Sequence, residues 1–324
     1  MSKSTQVLLD ILGIEKSIFC GPMGGVSCPE LVAVVSGAGG LGILPIWSQS
    51  PGDGAALVRA TRALTDRPFA VNLRADVNTG EHVEAAVEAG TDLIHVFWGS
   101  PQSFSAAIAA SGATLMATVD SPEAAQNALD AGARVLIAQG VEAGGHVLSA
   151  TPLQALLSSV LELAGDTPVV AAGGIANAED VKAMVDAGAA GVLCGTRFVA
   201  SNESLAHPHY KGALIAAGPD ATVRTKVFDI GWPDAPLRAL SNSTYRMWDE
   251  AGQPASGGRP GEGDIVLRMD GGVEIPRYAA MPPMRRMEGD IEAAVMYAGM
   301  GVERIFDVKS AAEIVRELAA GLSP

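Results

Sequence analysis

Residues 139–146, Gln-Gly-Val-Glu-Ala-Gly-Gly-His, concentrate the chemistry of this chain. They follow a short apolar run, Val135 to Ala138, that reads as a buried strand. Glycine lets backbone N–H groups approach a ligand closely and takes positive φ without strain. Gln139 is a polar anchor at the strand end, and His146 is a side chain able to exchange a proton near neutral pH. An ordinary glycine-rich strand-to-helix loop would look the same in isolation, so the other strand ends decide the matter. The first strand ends in Pro22-Met23-Gly24-Gly25. The third carries Asn72, a lone amide in an apolar run, which needs hydrogen-bond partners if buried. The seventh and eighth end in Ala172-Gly173-Gly174-Ile175 and Cys194-Gly195-Thr196-Arg197. Bare loops after the last two strands of a parallel barrel often bind phosphate through backbone N–H groups, and Thr196 adds a hydroxyl.

These loops need elements to hold them. Apolar runs near 18–21, 41–45, 69–73, 93–97, 114–119, 135–139, 168–172 and 191–195 read as strands, with alanine-rich helices between them. Continuous apolarity suits parallel strands buried on both faces. Gly90, Gly132 and Gly188 stop helices in the left-handed conformation. Ser27, Ser121 and Asn177 read as N-caps, and Pro122 as a first helical residue. The pattern predicts a (β/α)8 TIM barrel over residues 1–203. An open doubly wound sheet is the alternative, weakened because no GxGxxG follows the first strand. After Ser201 the pattern breaks. A helix is expected from Glu203 to Ala217, a β-like run from Ala221 to Val227, and a hairpin around Asp270-Gly271-Gly272. Residues 204–286 thus read as a smaller inserted α+β subdomain. Residues 287–324 read as a return to the barrel, with helices near 289–299 and 310–320.

Composition narrows the function. The net charge is 22 − 36 = −14, which disfavours nucleic acid and anionic membrane surfaces as partners. No apolar run approaches a membrane span, and the N-terminus lacks the apolar core of a secretory signal. Cys20, Cys28 and Cys194 lack metal-ligand spacing and read as buried, reduced thiols of a cytoplasmic protein. His207 and His209 flank Pro208, but no carboxylate or cysteine completes a metal site, so no metal is expected. His95, in an apolar strand, reads as a core or pocket histidine. No GxSxG turn supports hydrolysis.

Together the segments Gly21–Ser27, Ser36–Gly42, Val71–Leu73, Gln139–His146, Ala171–Ile175 and Gly195–Phe198, with Glu203 and His207–Lys211, resemble the nitronate monooxygenase family, formerly called 2-nitropropane dioxygenases. That family includes related FMN-dependent quinone and enoyl-thioester reductases. The similarity resumes at Tyr297-Ala298-Gly299 and Ala311–Leu318. The resemblance implies a TIM barrel that binds FMN non-covalently beneath a smaller domain. It implies that Met23 and Gly24 line the isoalloxazine, that Asn72, Gln139 and Gly144 contact it, and that Gly173, Gly174, Gly195 and Thr196 hold the phosphate. Pro22, Ala143 and Cys194 complete the expected cofactor-binding set. His146 matches the family's active-site histidine, a catalytic base. Phe97 and Trp98, at an unusually aromatic fourth strand end, are expected to shape the substrate pocket. Met300 stands where relatives usually carry glutamine.

The expected activity is FMN-dependent oxidation of alkyl nitronates by dioxygen to carbonyl compounds and nitrite. The alternatives are NAD(P)H-driven reduction of a quinone or enoyl thioester, and a flavin-binding protein without turnover. A small-molecule substrate is expected in each enzymatic case, and a homo-oligomer is compatible with all three.

Overall fold

The computed structural model describes residues 2–322. Met1, Ser323 and Pro324, at the outer edges of the expected barrel segments, lie outside the described residues. The chain runs α1 (Lys3–Leu12), β1 (Ile18–Cys20), α2 (Pro29–Gly37), β2 (Leu41–Pro45), α3 (Pro51–Arg62), β3 (Ala70–Leu73), α4 (Gly80–Ala89) and β4 (Leu93–Val96). It continues through α5 (Ser105–Ser111), β5 (Thr114–Val119), α6 (Pro122–Asp130), β6 (Val135–Gln139), β7 (Gly145–His146), α7 (Leu153–Ala164), β8 (Val169–Ala172), α8 (Ala178–Asp186) and β9 (Gly191–Cys194). Strands β1–β6, β8 and β9 close into an eight-stranded parallel barrel. Each expected strand is present to within a residue at either end, and the open-sheet alternative is excluded by the pairing of β1 with β9.

Burial on both faces explains why the strands are apolar throughout. Inside the barrel, Phe19, Leu41, Ile43, Met116, Ile137 and Val170 pack with Leu8 and Leu12 of α1, which plugs one end. Outside, Ile18, Val71, Ile94, Leu115, Leu136 and Val192 pack against the helices. Asn177 caps α8 in a capping box with Asp180, and Ser121 caps α6, both as expected. Ser27 does not cap α2. Its Oγ accepts from Met23 N–H, and the N-cap is Cys28 with no side-chain bond. The serine thus tightens the Met23 turn instead of starting the helix.

Beyond α9 (Thr196–Val199) lie α10 (Pro208–Ala216), β10 (Thr222–Thr225), β11 (Leu237–Leu240), α11 (Ser243–Glu250), β12 (Ile265–Arg268), β13 (Glu274–Pro276), β14 (Glu288–Gly289) and α12 (Ala311–Ala319). The helix expected from Glu203 begins only at Pro208, the proline taking the first turn where its missing N–H costs nothing. β12, β13 and β14 form one small antiparallel sheet that contains the expected hairpin. β10 and β11 pair in another, and its third strand is β7. The loop after β6 therefore leaves the barrel and becomes part of the cover.

The helix expected over 289–299 does not form. β14 and a 3-10 turn at Ile291–Ala293 occupy its start, and Tyr297 pairs in an antiparallel bridge with Ala239. Ala293, Ala294 and Val295 are buried on this irregular path, so tertiary burial overrides their helical propensity. α12 forms as expected, starts with a Ser310–Glu313 capping box and packs against α2 and α8.

Helix α2 and strand β2 pack closely at Gly42, where an added Cβ would fall 2.5 Å from the Val32 carbonyl oxygen of α2. Gly42→Ala must push α2 outward, and overpacking of this kind costs about 1–3 kcal/mol. Urea unfolding should show stability lowered by that amount, as a lower midpoint with an unchanged slope.

Candidate active site

At the C-terminal mouth of the barrel the strand ends and the cover enclose a cavity of about 440 Å³. Its lining includes Pro22, Met23, Gly24, Asn72, Gln139, Ala143, Gly144, His146, Gly173, Gly174, Cys194, Gly195, Thr196 and Phe97. The expected site residues, spread over 174 positions from Pro22 to Thr196, are thereby brought to one chamber. Trp98 is the exception. It lines a second, more open pocket of about 530 Å³ outside the first. Its backbone sits at φ 68°, an unusual left-handed conformation for a bulky residue. Sequence reasoning missed several lining residues: Trp47, Arg74, Trp232, Tyr297 and Gly301.

Asn72 is 3% exposed, and its amide nitrogen finds the partners its burial demands. Its Nδ2 donates to His95 Nδ1 at 3.2 Å. That tautomer leaves His95 Nε2–H to donate to Thr118 Oγ1 at 2.7 Å. His95 is thus a buried support that orients Asn72, and burial lowers its pKa to about 3. Asn72 Oδ1 receives no donor from the described residues. Gln139 Oε1 is buried with no partner at all. Leaving such an acceptor unpaired costs about 1–3 kcal/mol, so these orphan groups fit a bound molecule that carries donors.

The glycine loops complete the cradle. Gly173 and Gly174 sit at φ 126° and 69°, where only glycine is comfortable. The N–H groups of Gly173, Gly174, Gly195 and Thr196 make no turn, loop or cap hydrogen bond among the described residues. A Cβ on Gly195 would meet no protein atom within 4 Å; it would enter open space in the cavity. Thr196 Oγ1 accepts from Gly299 N–H at 3.0 Å, which leaves its own proton to donate. Arg304 donates to the Gly174 carbonyl at 2.7 Å and pairs with Asp180 at 3.1 Å. These free donors fit a phosphate, and the orphan acceptors fit a polar heterocycle.

His146 occupies β7 and is held by aromatic rings. Trp232 stacks on it with centroids 3.8 Å apart and planes at 33°. Trp98 meets it edge-on at 5.8 Å, and Tyr297 lies at 5.7 Å. Tyr297 Oη donates to the Ala280 carbonyl at 3.0 Å and so offers a lone pair to His146 Nε2 at 3.5 Å. Nε2 then carries the ring proton, and Nδ1 remains a buried acceptor without a partner. Burial, with the nearby Arg74 cation, pushes the His146 pKa down to about 3, against a smaller upward pull from the Pro236 carbonyl. The ring is neutral at physiological pH.

Among the described residues no cluster of His, Cys, Asp or Glu could hold a metal ion. His209 lies instead 3.6 Å from Glu292 on the exposed cover. The three cysteines are unpaired and buried. No described helix is long and apolar enough to cross a membrane.

A parallel barrel with a phosphate-ready glycine cradle, orphan acceptors and a neutral histidine at its mouth has the make-up of a cofactor-binding barrel enzyme. The chain belongs to the nitronate monooxygenase family, whose model matches residues 5–321. It is 31% identical over 359 aligned positions to a nitronate monooxygenase of Pseudomonas aeruginosa, covering 96% of this chain and 97% of that one. It is 36% identical over 235 positions to a Mycobacterium tuberculosis protein named (3aS,4S,5R,7aS)-5-hydroxy-7a-methyl-1-oxo-octahydro-1H-indene-4-carboxyl-CoA dehydrogenase. That match covers 71% of this chain and 65% of the relative. Among solved structures, FabK from Thermotoga maritima superposes with TM-score 0.77 at 29% identity, covering 96% and 94% of the two chains. A nitroalkane oxidase from Streptomyces ansochromogenes superposes with TM-score 0.74 at 28% identity, covering 98% and 97%.

The two neutral buried histidines give folding a pH dependence. Their folded pKa values of about 3 lie below the unfolded value near 6.5. The unfolded chain therefore binds more protons below pH 6.5, and stability is lost as pH falls from there toward 3. Between pH 6.5 and 5, above the carboxylate range, each histidine should remove on the order of 2 kcal/mol. Urea titrations at these pH values should show the loss, and His95→Gln should remove about half of it.

Proposed function

We propose that this chain is an FMN-dependent oxidoreductase that oxidises alkyl nitronates with dioxygen to carbonyl compounds and nitrite. The observation that carries this reading is His146, neutral and with an unpaired Nδ1, in the cavity that also holds the orphaned Gln139 Oε1. Gly173, Gly174, Gly195 and Thr196 would hold the FMN phosphate. Pro22, Met23, Gly24, Asn72, Gln139, Ala143, Gly144 and Cys194 would line its ring. Bound FMN would supply the electron acceptor and the centre that reacts with dioxygen. Phe97 borders the substrate space, and Trp98 its outer approach. Residues 204–286 act as the cover, and α12 belongs with the barrel.

The residues themselves favour an ionised substrate. General-base catalysis is most effective when the base pKa lies near the working pH. The conjugate acid of His146 is disfavoured by burial and by a neighbouring cation. It is a weak base, better suited to position a nitronate than to strip a proton from a neutral nitroalkane. An anion beside it would raise its pKa, so proton uptake at Nδ1 becomes available once negative charge is present. The aromatic wall and cover exclude water and strengthen these electrostatic effects.

A second reading is reduction of an enoyl thioester or a quinone by NAD(P)H. The relatives of Mycobacterium tuberculosis and Rhodococcus jostii named as indene-carboxyl-CoA dehydrogenases, at 36% and 34% identity, favour the thioester as substrate class, as does the outer pocket's room for a longer substrate. Anaerobic mixing separates the two. The purified protein should be yellow with FMN, and propane-2-nitronate should bleach it faster than NADH or NADPH. Bleaching by NAD(P)H alone selects the second reading, and a colourless protein that takes up no FMN rejects both.

Two variants probe the assigned roles. Because a side chain at Gly195 would enter open cavity, Gly195→Val should fold normally while FMN affinity drops at least about tenfold; fluorescence titration with FMN measures it. His146→Ala should keep FMN and lose about 10²–10⁴-fold in turnover wherever proton transfer is needed, with a smaller loss for a preformed nitronate. In the wild type, kcat/KM should show no acid limb near pH 6.5, because the free-enzyme histidine protonates only near pH 3.

A further inference from the structure

Arg74 has no part in the cradle or the cofactor set, yet it is 6% exposed and lines both the inner cavity and the outer pocket. It follows β3 directly. Its guanidinium packs against two indoles that touch each other, with Cζ 3.4 Å from the Trp232 centroid and 5.0 Å from that of Trp47. Nε and one terminal nitrogen donate to Asp76 at 3.0 and 2.6 Å. The other terminal nitrogen, Nη1, has no protein acceptor among the described residues. Trp232 Nε1–H is likewise buried without an acceptor. The wall between the two pockets thus carries a fixed cation and a pair of unused N–H donors.

The ion pair does not neutralise the site. The Arg74 side chain is 8% exposed and Asp76 37%, so the carboxylate lies on the outer, wetter side. The charge felt at His146 is that of the arginine. Fixed planar guanidinium groups favour planar oxyanions, because two parallel N–H groups match two oxygens.

We propose that Arg74, with the Trp232 N–H, is the substrate-recognition residue of this site and takes a small planar oxyanion such as the nitro group of a nitronate. The indoles hold the guanidinium in place, and Asp76 fixes its orientation through the far edge of the fork. The proposal rests on the nitronate reading for the identity of the substrate, but the binding of a planar oxyanion stands apart from it. The competing role is structural: Arg74 N–H donates to Asn78 Oδ1 at 2.8 Å, and the side chain stacks the wall.

Calorimetric titration of the protein as purified with sodium nitrate, a planar oxyanion with the O–N–O geometry of a nitronate, tests the proposal directly. Wild type should bind nitrate saturably. Arg74→Met should weaken binding about 10- to 100-fold, the loss expected for charge-assisted hydrogen bonds, and Arg74→Lys should recover part of it. Asp76→Asn, whose amide oxygen still accepts from the guanidinium while the competing charge is gone, should bind nitrate at least as tightly as wild type. Nitrate binding unchanged in both Arg74 variants overturns the proposal. So does Asp76→Asn weakening it as much as Arg74→Met, which is the result for a purely structural pair. In turnover, Arg74→Lys should raise KM for propane-2-nitronate with little change in kcat and leave KM for a neutral quinone unmoved; equal rises for both substrates also overturn it. Nitrate binding that follows this pattern in a protein inert toward nitronates would reject the nitronate reading and leave the oxyanion site standing.

Discussion

The site depends on backbone packed against backbone where no side chain fits. Gly144, in the loop after β6, lies so close to the 298–299 peptide that a Cβ would come within 2.5 Å of Gly299 N. Gly299 in turn abuts the Glu142 carbonyl, and Gly301 abuts that of Gly174. Hydrogen bonds use this proximity. Met300 N–H donates to Glu142 O at 2.9 Å, and Gly299 N–H to Thr196 Oγ1. One late segment therefore ties together the loops that follow β6, β8 and β9. The register among Gln139, Gly174 and Thr196 is set by contacts that tolerate no added atom, which is the kind of rigidity a prearranged site needs.

Around this rigid base the electrostatics are unusual for an acidic protein. A net charge of −14 repels anions from the surface as a whole. The wall of the cavity nevertheless carries Arg74, and its base carries free N–H donors. Both are shielded from water, where a given charge acts more strongly. Selectivity for anionic ligands is thus a property of the interior, opposed by the exterior. The neutral state of His146 follows first from its burial, and the Arg74 cation beside it adds to the cost of a second positive charge.

Much of this could be read from the sequence, and physical reasons separate what could from what could not. The barrel strands were legible because burial on both faces makes them continuously apolar. Asn72 and Gln139 stood out as amides at apolar strands, and the glycine pairs marked the loops. The helix expected at 289–299 failed because that segment pairs with β12, about 20 residues back, and with β11, about 60 residues back. Nothing local marks a stretch whose path is set by remote pairing. Trp232 and Tyr297 reach His146 from the cover, across separations that no spacing rule captures. Arg74 was a missed signal: a charged residue directly after the apolar run Val71-Asn72-Leu73, at the end of a barrel strand where ligands bind. Trp98 was recognised as aromatic and near the site, but its left-handed backbone turns it to the outer pocket.

The pairing of β7 with β11 has a mechanical consequence. Leu237 is the register partner of His146, and Arg238 of Gly145. The histidine is therefore a strand of the cover as much as a loop of the barrel. A hinge that swung the cover away as a rigid lid would carry His146 with it or break the ladder. The ladder thus ties the position of the histidine over the barrel mouth to that of the cover: one cannot shift without the other.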